Sequence, residues 1–301
     1  MNETLIDLYH RHSGMAFDRQ QRLTEFLRLK APGTKGKHDI ESAQILFGSK
    51  VEFEAPLLGV HAFHNHSWLW AWSIRNQRLT ITNRALGDTV RMLVHRLGVH
   101  ELGAAGFSIE PLLGEELTPQ AAHVLGVVMG TELGYDAYFI IKSEGGESLI
   151  LIRDDRLKTP VKKSLSRILA QFPKLVASHP VPDQRAALRS YADDYGITVA
   201  EEGGGLRLTL GKDHLIATFD ARGKLKTLDG TVKPEPKMVV KKPKLKPPMK
   251  SRSKPAKAVK AAARKVAKPV KATPKKPVAK APVKKVTMPA KAAAKKSGKK
   301  R

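Results

Sequence analysis

His61, His64 and His66 stand within six residues of one another. Three neutral imidazoles in one loop can converge on Zn²⁺ or Ni²⁺. Glu52, Glu54 and Asp39 are the nearest candidate oxygen donors in the sequence. The spacing fits no closed-site pattern, and the chain has no cysteine to complete one. The expectation is therefore an exposed polar loop, with no metal and no cofactor. The lack of cysteine also excludes a thiol nucleophile and a disulfide framework. Acidic residues come in neighbouring pairs at Glu115-Glu116, Asp154-Asp155, Asp193-Asp194 and Glu201-Glu202. Two carboxylates do acid–base work only across a cleft, whereas sequence neighbours in a helix or strand point apart. These pairs read as solvated turns and element ends. Gly203-Gly204-Gly205 precedes a strand pattern, not a helix N-terminus, so it reads as a turn and not as a phosphate cradle. No Ser-His-Asp arrangement can be singled out, and no enzymatic activity is assigned.

The chemistry that composition does specify lies at the C-terminus. From Lys233 to Arg301 there are 26 Lys and Arg against the single acid Glu235, a net charge of +25. Residues 1–232 carry 28 bases and 27 acids, a net of +1. The basic segment has no Phe, Trp, Tyr or His, and repeats Lys, Ala, Pro and Val. Frequent proline forbids a long helix, and there is too little apolar mass for a core. The expectation is a segment disordered on its own, reaching roughly 230 Å when extended at about 3.3 Å per residue. Lysines without aromatics attract phosphates without stacking on bases, so they read no sequence. The candidate nucleic-acid contacts are Lys241, Lys242, Lys244, Lys246, Lys254, Lys257, Lys260, Arg264, Lys265, Lys268, Lys275, Lys276, Lys284, Lys285, Lys295 and Lys296. Ala256–Lys268 lacks proline and is expected to turn helical once phosphates neutralise its lysines. DNA is the expected partner; RNA and polyphosphate are rivals.

Elements must hold these groups in place. Ser67-Trp68-Leu69-Trp70-Ala71-Trp72-Ser73 holds all three tryptophans at a spacing of two, which in a strand puts all three rings on one face. Burying three such rings contributes on the order of 11–19 kcal/mol gross. The strand is expected to be core, and Trp68, Trp70 and Trp72 are also the candidate wall of a pocket. Apolar spacing predicts a helix over 3–29 that Gly14 divides, then strands at 43–48 and 51–58. A helix over about 83–97 follows, with Asn76 as its start signal and Gly98 as its stop. A short strand is expected at 107–113. A helix capped by Thr118, with Pro119 first in the helix, is expected to run to about Leu133. Tyr135–Ser143 and Ser148–Arg153 read as a hairpin, and 159–171 as a helix. Three prolines in 172–182 suggest a linker. A helix at 183–195 and strands near 197–201, 205–210, 213–219 and 224–228 make a second, smaller unit.

Val51–Glu54, Gly59, Phe63, the Trp68-Leu-Trp-Ala-Trp72-Ser run, Val90-Arg91, Leu97-Gly98, Ala121–Leu125 and Tyr135–Leu151 together resemble an uncharacterised bacterial family. It is a domain of unknown function built round a W-L-W-A-W signature, and the resemblance spans about residues 3–155. It implies an α+β fold and supplies no catalytic residue. The histidine loop, the unit after residue 183 and the basic segment depart from it. The segment itself is similar to linker-histone tails and to the Lys-Ala-Pro-rich tails of bacterial histone-like proteins, although no linker-histone globular domain is visible.

The expected fold class is α+β: an antiparallel sheet with packed helices, a second small helix-plus-meander unit, and a disordered basic C-terminal tail. The expected domains are 1–171, a linker at 172–182, 183–231, and the tail at 232–301. No apolar run approaches the ~20 residues that span a bilayer, and residues 1–30 lack the apolar centre of a signal peptide. A cytoplasmic, nucleoid-associated location is expected. The expected role is non-specific DNA binding through the tail. The alternative is a ligand- or protein-binding module that the tail only localises to polyanions.

Overall fold

The computed structural model describes residues 3–74, 81–158 and 164–232. The chain divides into two units, Met1–Met238 and Val239–Arg301, and every described residue belongs to the first. The expected disordered tail, and the conditional helix within it, lie outside the described residues.

A reciprocal capping box opens helix α1 (Leu5–Lys30). Thr4 Oγ1 accepts from the Asp7 N–H at 3.1 Å, and the Asp7 carboxylate accepts from the Thr4 N–H at 3.0 Å. That pairing satisfies two backbone donors that a helix start leaves open. The helix runs unbroken through Gly14, which was expected to divide it. The glycine serves a close approach instead: a Cβ there would lie 2.3 Å from Cγ of Tyr191.

Strands β1 (Gly36–Asp39), β2 (Gln44–Phe47) and β3 (Val51–Glu54) form an antiparallel sheet in that order. β1 was not expected, because its four residues show no apolar alternation. The single strand expected over 51–58 is two. Pro56 has no N–H to give a ladder, and after it the chain enters a second sheet as β4 (Leu57–Ala62). The tryptophan strand β5 (Ser67–Trp70) is shorter than its pattern suggested, since Ala71–Ser73 coil into a 3₁₀ turn. Next come α2 (Ile81–Leu97), β6 (Gly106–Ser108) and α3 (Glu110–Leu117). The start signal Asn76 lies outside the described residues. The strand expected over 107–113 gives way to helix α3 because Pro111 stands in its first turn, where a missing N–H costs nothing. Thr118 does not cap the next helix. The chain there is already helical, and its hydroxyl donates back to the Gly114 carbonyl at 2.7 Å. Helix α4 (Ala121–Glu132) leads into the hairpin β7 (Ala137–Ser143) and β8 (Gly146–Ile152). The five strands pair antiparallel in the order β6-β5-β4-β8-β7.

Helix α5 (Leu165–Ser178) contains Phe172 and Pro173, where a linker was expected. An internal proline costs about 3 kcal/mol. Leu165, Ile168, Phe172 and Leu175 are all buried at helical spacing, and each contributes roughly 1.5–3 kcal/mol. Burial outweighs the proline. Helix α6 (Gln184–Asp194) and the antiparallel meander β9 (Thr198–Glu202), β10 (Gly205–Leu210), β11 (Asp213–Phe219) and β12 (Leu225–Thr231) complete the α+β fold.

Three apolar cores meet along α1. Its Leu5, Leu8, Tyr9 and Ala16 join Trp68, Trp70, Val124 and Leu125 on one face of the five-stranded sheet. Its Leu23 joins Ile45, Phe53, Ile150 and Ile152 between that sheet's other face and the three-stranded one. Its Phe17 joins Phe172, Leu188, Leu206 and Leu215 of the C-terminal elements. The 183–231 elements are therefore not a separate domain: they share a core with α1. Among the described residues no helix is long and apolar enough to cross a membrane.

Candidate functional site

Helix α4 is buried along nearly its whole length, and His123 is the ionisable side chain within its buried part; Glu132 at its end pairs with His12 and Arg96. Tyr138 of β7 lies against this helix at Gly126, where a Cβ would fall 2.7 Å from the phenol ring's Cδ2. That close approach brings Tyr138 Oη to 2.5 Å from His123 Nδ1. His179 arrives from the end of α5. Its N–H donates to the Leu175 carbonyl at 2.9 Å. The residues after it are pinned to α1: the Tyr9 hydroxyl donates to the Pro180 carbonyl at 3.1 Å, and the Asp183 N–H donates to His10 Nε2 at 3.2 Å. The His123 and His179 rings end up stacked, with centroids 3.8 Å apart and planes 9° from parallel. Tyr9 meets His123 edge-on at 5.9 Å, and Phe17 meets His179 edge-on at 6.2 Å.

The two imidazoles and Tyr138 line a cavity of about 330 Å³, whose other walls come from α1, β7 and Leu175. Among the described residues no Asp, Glu, Lys or Arg lines it. Burial, with His179 beside it, pulls His123 down to about 3. Burial also lowers His179 and holds the Tyr138 phenol well above its ordinary range. At neutral pH both imidazoles are therefore uncharged and the phenol keeps its proton. The phenol then donates to Nδ1, which leaves the His123 proton on Nε2. The His179 ring makes no hydrogen bond among the described residues. Ser13 lines the same cavity, but its hydroxyl donates to the His10 carbonyl at 3.1 Å, so neither imidazole activates it. The arrangement is a pocket of bases without a nucleophile.

A second buried polar group ties α1 to the C-terminal helices. Asp18 has no exposed surface. Its Oδ2 accepts from Tyr191 Oη at 2.8 Å, from Arg167 Nε at 2.9 Å and from Tyr195 Oη. Oδ1 has no partner. One carboxylate thus joins α1, α5 and α6.

The residues singled out from sequence fall elsewhere. His61 is fully buried on β4, with neither ring nitrogen hydrogen-bonded, while His64 and His66 are exposed. His61 and His66 rings are 6.2 Å apart. Glu52 and Glu54 lie on the other sheet, and Asp39 closes a turn onto Ser42 at 2.8 Å. Among the described residues no three His, Cys, Asp or Glu side chains are placed to hold a metal. Trp68 and Trp70 have no exposed surface and are core, so no ligand reaches them as a pocket wall. Trp72 leaves the strand and is only partly buried, yet it stacks on Trp70 at 5.0 Å with the Arg91 guanidinium 4.9 Å over its ring. Two indoles, not three, are therefore fully buried, and the gross contribution falls to about 8–12 kcal/mol. The acidic pairs serve ion pairs or face solvent: Asp154 with Arg156, Asp155 with Lys158, Glu201 with Arg185 and Arg189, and Glu202 with Arg207. Gly203 and Gly204 form the β9–β10 turn with φ of +56° and +81°. The sixteen cationic residues proposed for nucleic acid lie outside the described residues.

Residues 6–155 match the model of a family of unknown function, DUF6882. That part of the chain belongs to DUF6882. No curated protein and no solved structure matches the chain. His123 and Tyr138 fall inside the DUF6882 span, whereas His179 and Leu175 come from beyond it. The cavity is thus completed by residues the family model does not cover. Sequence reasoning missed this site. A lone histidine in the apolar run Ala121–Met129 was the available signal for His123. His179, between a helix end and two prolines, carried none.

Proposed function

We propose that the protein binds nucleic acid, DNA foremost, without sequence preference, through the cationic segment after residue 232, and that this places it at the nucleoid in the cytoplasm. The charge asymmetry carries the reading: +25 over residues 233–301 against +1 over the rest of the chain. Such a segment binds by releasing counterions from phosphates. If about eight phosphates are contacted, log K falls with log salt at a slope near −7. A gel-shift series over salt, comparing the full chain with a chain lacking Val239–Arg301, tests it. Met1–Met238 forms a compact unit by itself, so the deletion follows a unit boundary, and circular dichroism of the shortened chain checks its fold. Loss of binding on deletion supports the proposal. Retention that survives deletion, or that ignores salt, removes it. Binding to RNA or polyphosphate with equal affinity at matched salt replaces DNA by polyanions in general.

A second reading has one observation in its favour. The cavity beside His123 and His179 suits a ligand-binding module that the cationic segment localises.

A further inference from the structure

We infer that the cavity between α1, α4, β7 and the end of α5 binds a medium-chain carboxylic acid, its carboxylate at the His123–His179 stack and its chain along α1. This rests on the ligand-binding reading above and is independent of the cationic segment.

Three observations carry it. The first is shape. The α1 side of the cavity runs from Ser13 to Leu27, about 21 Å at 1.5 Å per residue. Away from the imidazoles the wall is mixed: Phe17, Leu27, Phe139, Ile140 and Leu175 are apolar, while Gln20, Gln21 and Thr24 also line the α1 side, Gln20 Nε2 donating to the Tyr138 carbonyl at 3.0 Å and the Thr24 hydroxyl to the Gln20 carbonyl at 2.9 Å. A volume of about 330 Å³ holds about ten groups of the size of a water molecule, ~30 Å³ each, which is the size of an eight- to ten-carbon acid.

The second is the geometry of the polar end. Rings stacked at 3.8 Å and 9° have parallel planes. Their in-plane lone pairs cannot converge on one ion, so the pair is not a metal chelate. Each ring can instead present an N–H to an acceptor.

The third is the charge the site can reach. Among the described residues no fixed charge lines it. The titratable groups facing His179 and its partner are His123 from α4, Tyr138 from β7 and Tyr9 from α1, with His10 next along α1. Burial opposes the phenolate at Tyr9 and Tyr138. The pocket can therefore gain a positive charge, by protonating an imidazole, but has no route to a negative one. It matches an anion and not a cation. Stacking disfavours protonating both rings, so one proton accompanies one carboxylate. His179, whose ring has no hydrogen bond among the described residues, takes it.

The test is calorimetric titration of the full chain with decanoate, decanol and decyltrimethylammonium in 0.5 M salt, which screens the cationic segment. The expectation is one decanoate per chain. Its affinity rises at least tenfold from pH 8 to pH 6, and buffers of different ionisation heat report proton uptake. His179→Phe keeps a ring on the stack, and should cost decanoate tenfold or more, abolish proton uptake and leave decanol unchanged. Leu27→Trp fills the chain end of the cavity and should weaken decanoate and decanol together. If decanoate binds no tighter than decanol, or His179→Phe leaves it unchanged, the carboxylate assignment is overturned and the pocket remains. If none of the three probes binds, or Leu27→Trp has no effect on bound decanoate, the ligand-binding reading itself goes.

Discussion

Replacing His123 with phenylalanine should flatten the acid side of the protein's pH–stability curve. In the folded chain this imidazole titrates at about 3, because burial and the neighbouring His179 oppose its charge. In the unfolded chain it titrates near 6.5. The unfolded state therefore binds a proton first as pH falls. The contribution of His123 is complete above about pH 6.5 and is lost progressively as pH falls toward 3. Each pH unit in that window is worth about 1.4 kcal/mol, so the full loss approaches about 5 kcal/mol, of which about 2 kcal/mol is gone by pH 5. His10, His38, His61 and His179 are also lowered by burial, and add to the wild-type slope in the same direction. All are present in both proteins, and those other than His179, which stacks on the substituted ring, cancel in the comparison. Urea unfolding followed by the fluorescence of Trp68 and Trp70 at pH 7.5, 6.5, 5.5 and 5.0 gives both curves. At pH 7.5 the variant should be less stable by about 1–3 kcal/mol, because the Tyr138 hydroxyl loses its buried acceptor. By pH 5 the gap should have closed by about 2 kcal/mol. Parallel curves for the two proteins would refute a neutral, buried His123.

Other substitutions probe the supports of this arrangement. Asp18→Ala leaves the Arg167 guanidinium and the hydroxyls of Tyr191 and Tyr195 without their shared acceptor. It should cost about 3–5 kcal/mol in urea unfolding. Gly14→Ala should destabilise by about 1–3 kcal/mol through overpacking against Tyr191, despite alanine's better helix propensity, and a thermal scan reads it. His61→Leu removes a buried imidazole with no hydrogen-bond partner. It should be neutral or stabilising at pH 7 and more favourable at pH 5, since burial lowers the His61 pKa, and urea midpoints at the two pH values check it.

Local pattern made much of the fold legible. The hairpin around Glu144-Gly145 was readable because alternation and turn glycines agree, and the C-terminal meander for the same reason. Helix α5 was misread at its far end because a proline rule is local, whereas the burial of Phe172 and Leu175 that overrides it is not. The tryptophan run ended early because the chain turns at Ala71, which is buried beside Leu57, and Trp72 packs against Gly87 of α2. The candidate site was the least legible part. His123 and His179 are 56 positions apart, and nothing in either neighbourhood says that their rings will stack. Asp18 was not singled out from the sequence. Its role emerges only when Arg167, Tyr191 and Tyr195 close round it.

Because a single helix lends residues to each of the three apolar clusters among the described residues, none of the three can be lifted away without baring part of that helix. Peeling away β10 and β11 takes Leu206, Leu208, Leu215 and Ala217 out of the cluster that Phe17 shares with α5 and α6. A fragment cut to the DUF6882 limits would keep its own sheet yet turn a wet, charged gash toward solvent at Asp18. The edge that relatedness draws at residue 155 therefore leaves outside it the residues that close over Phe17.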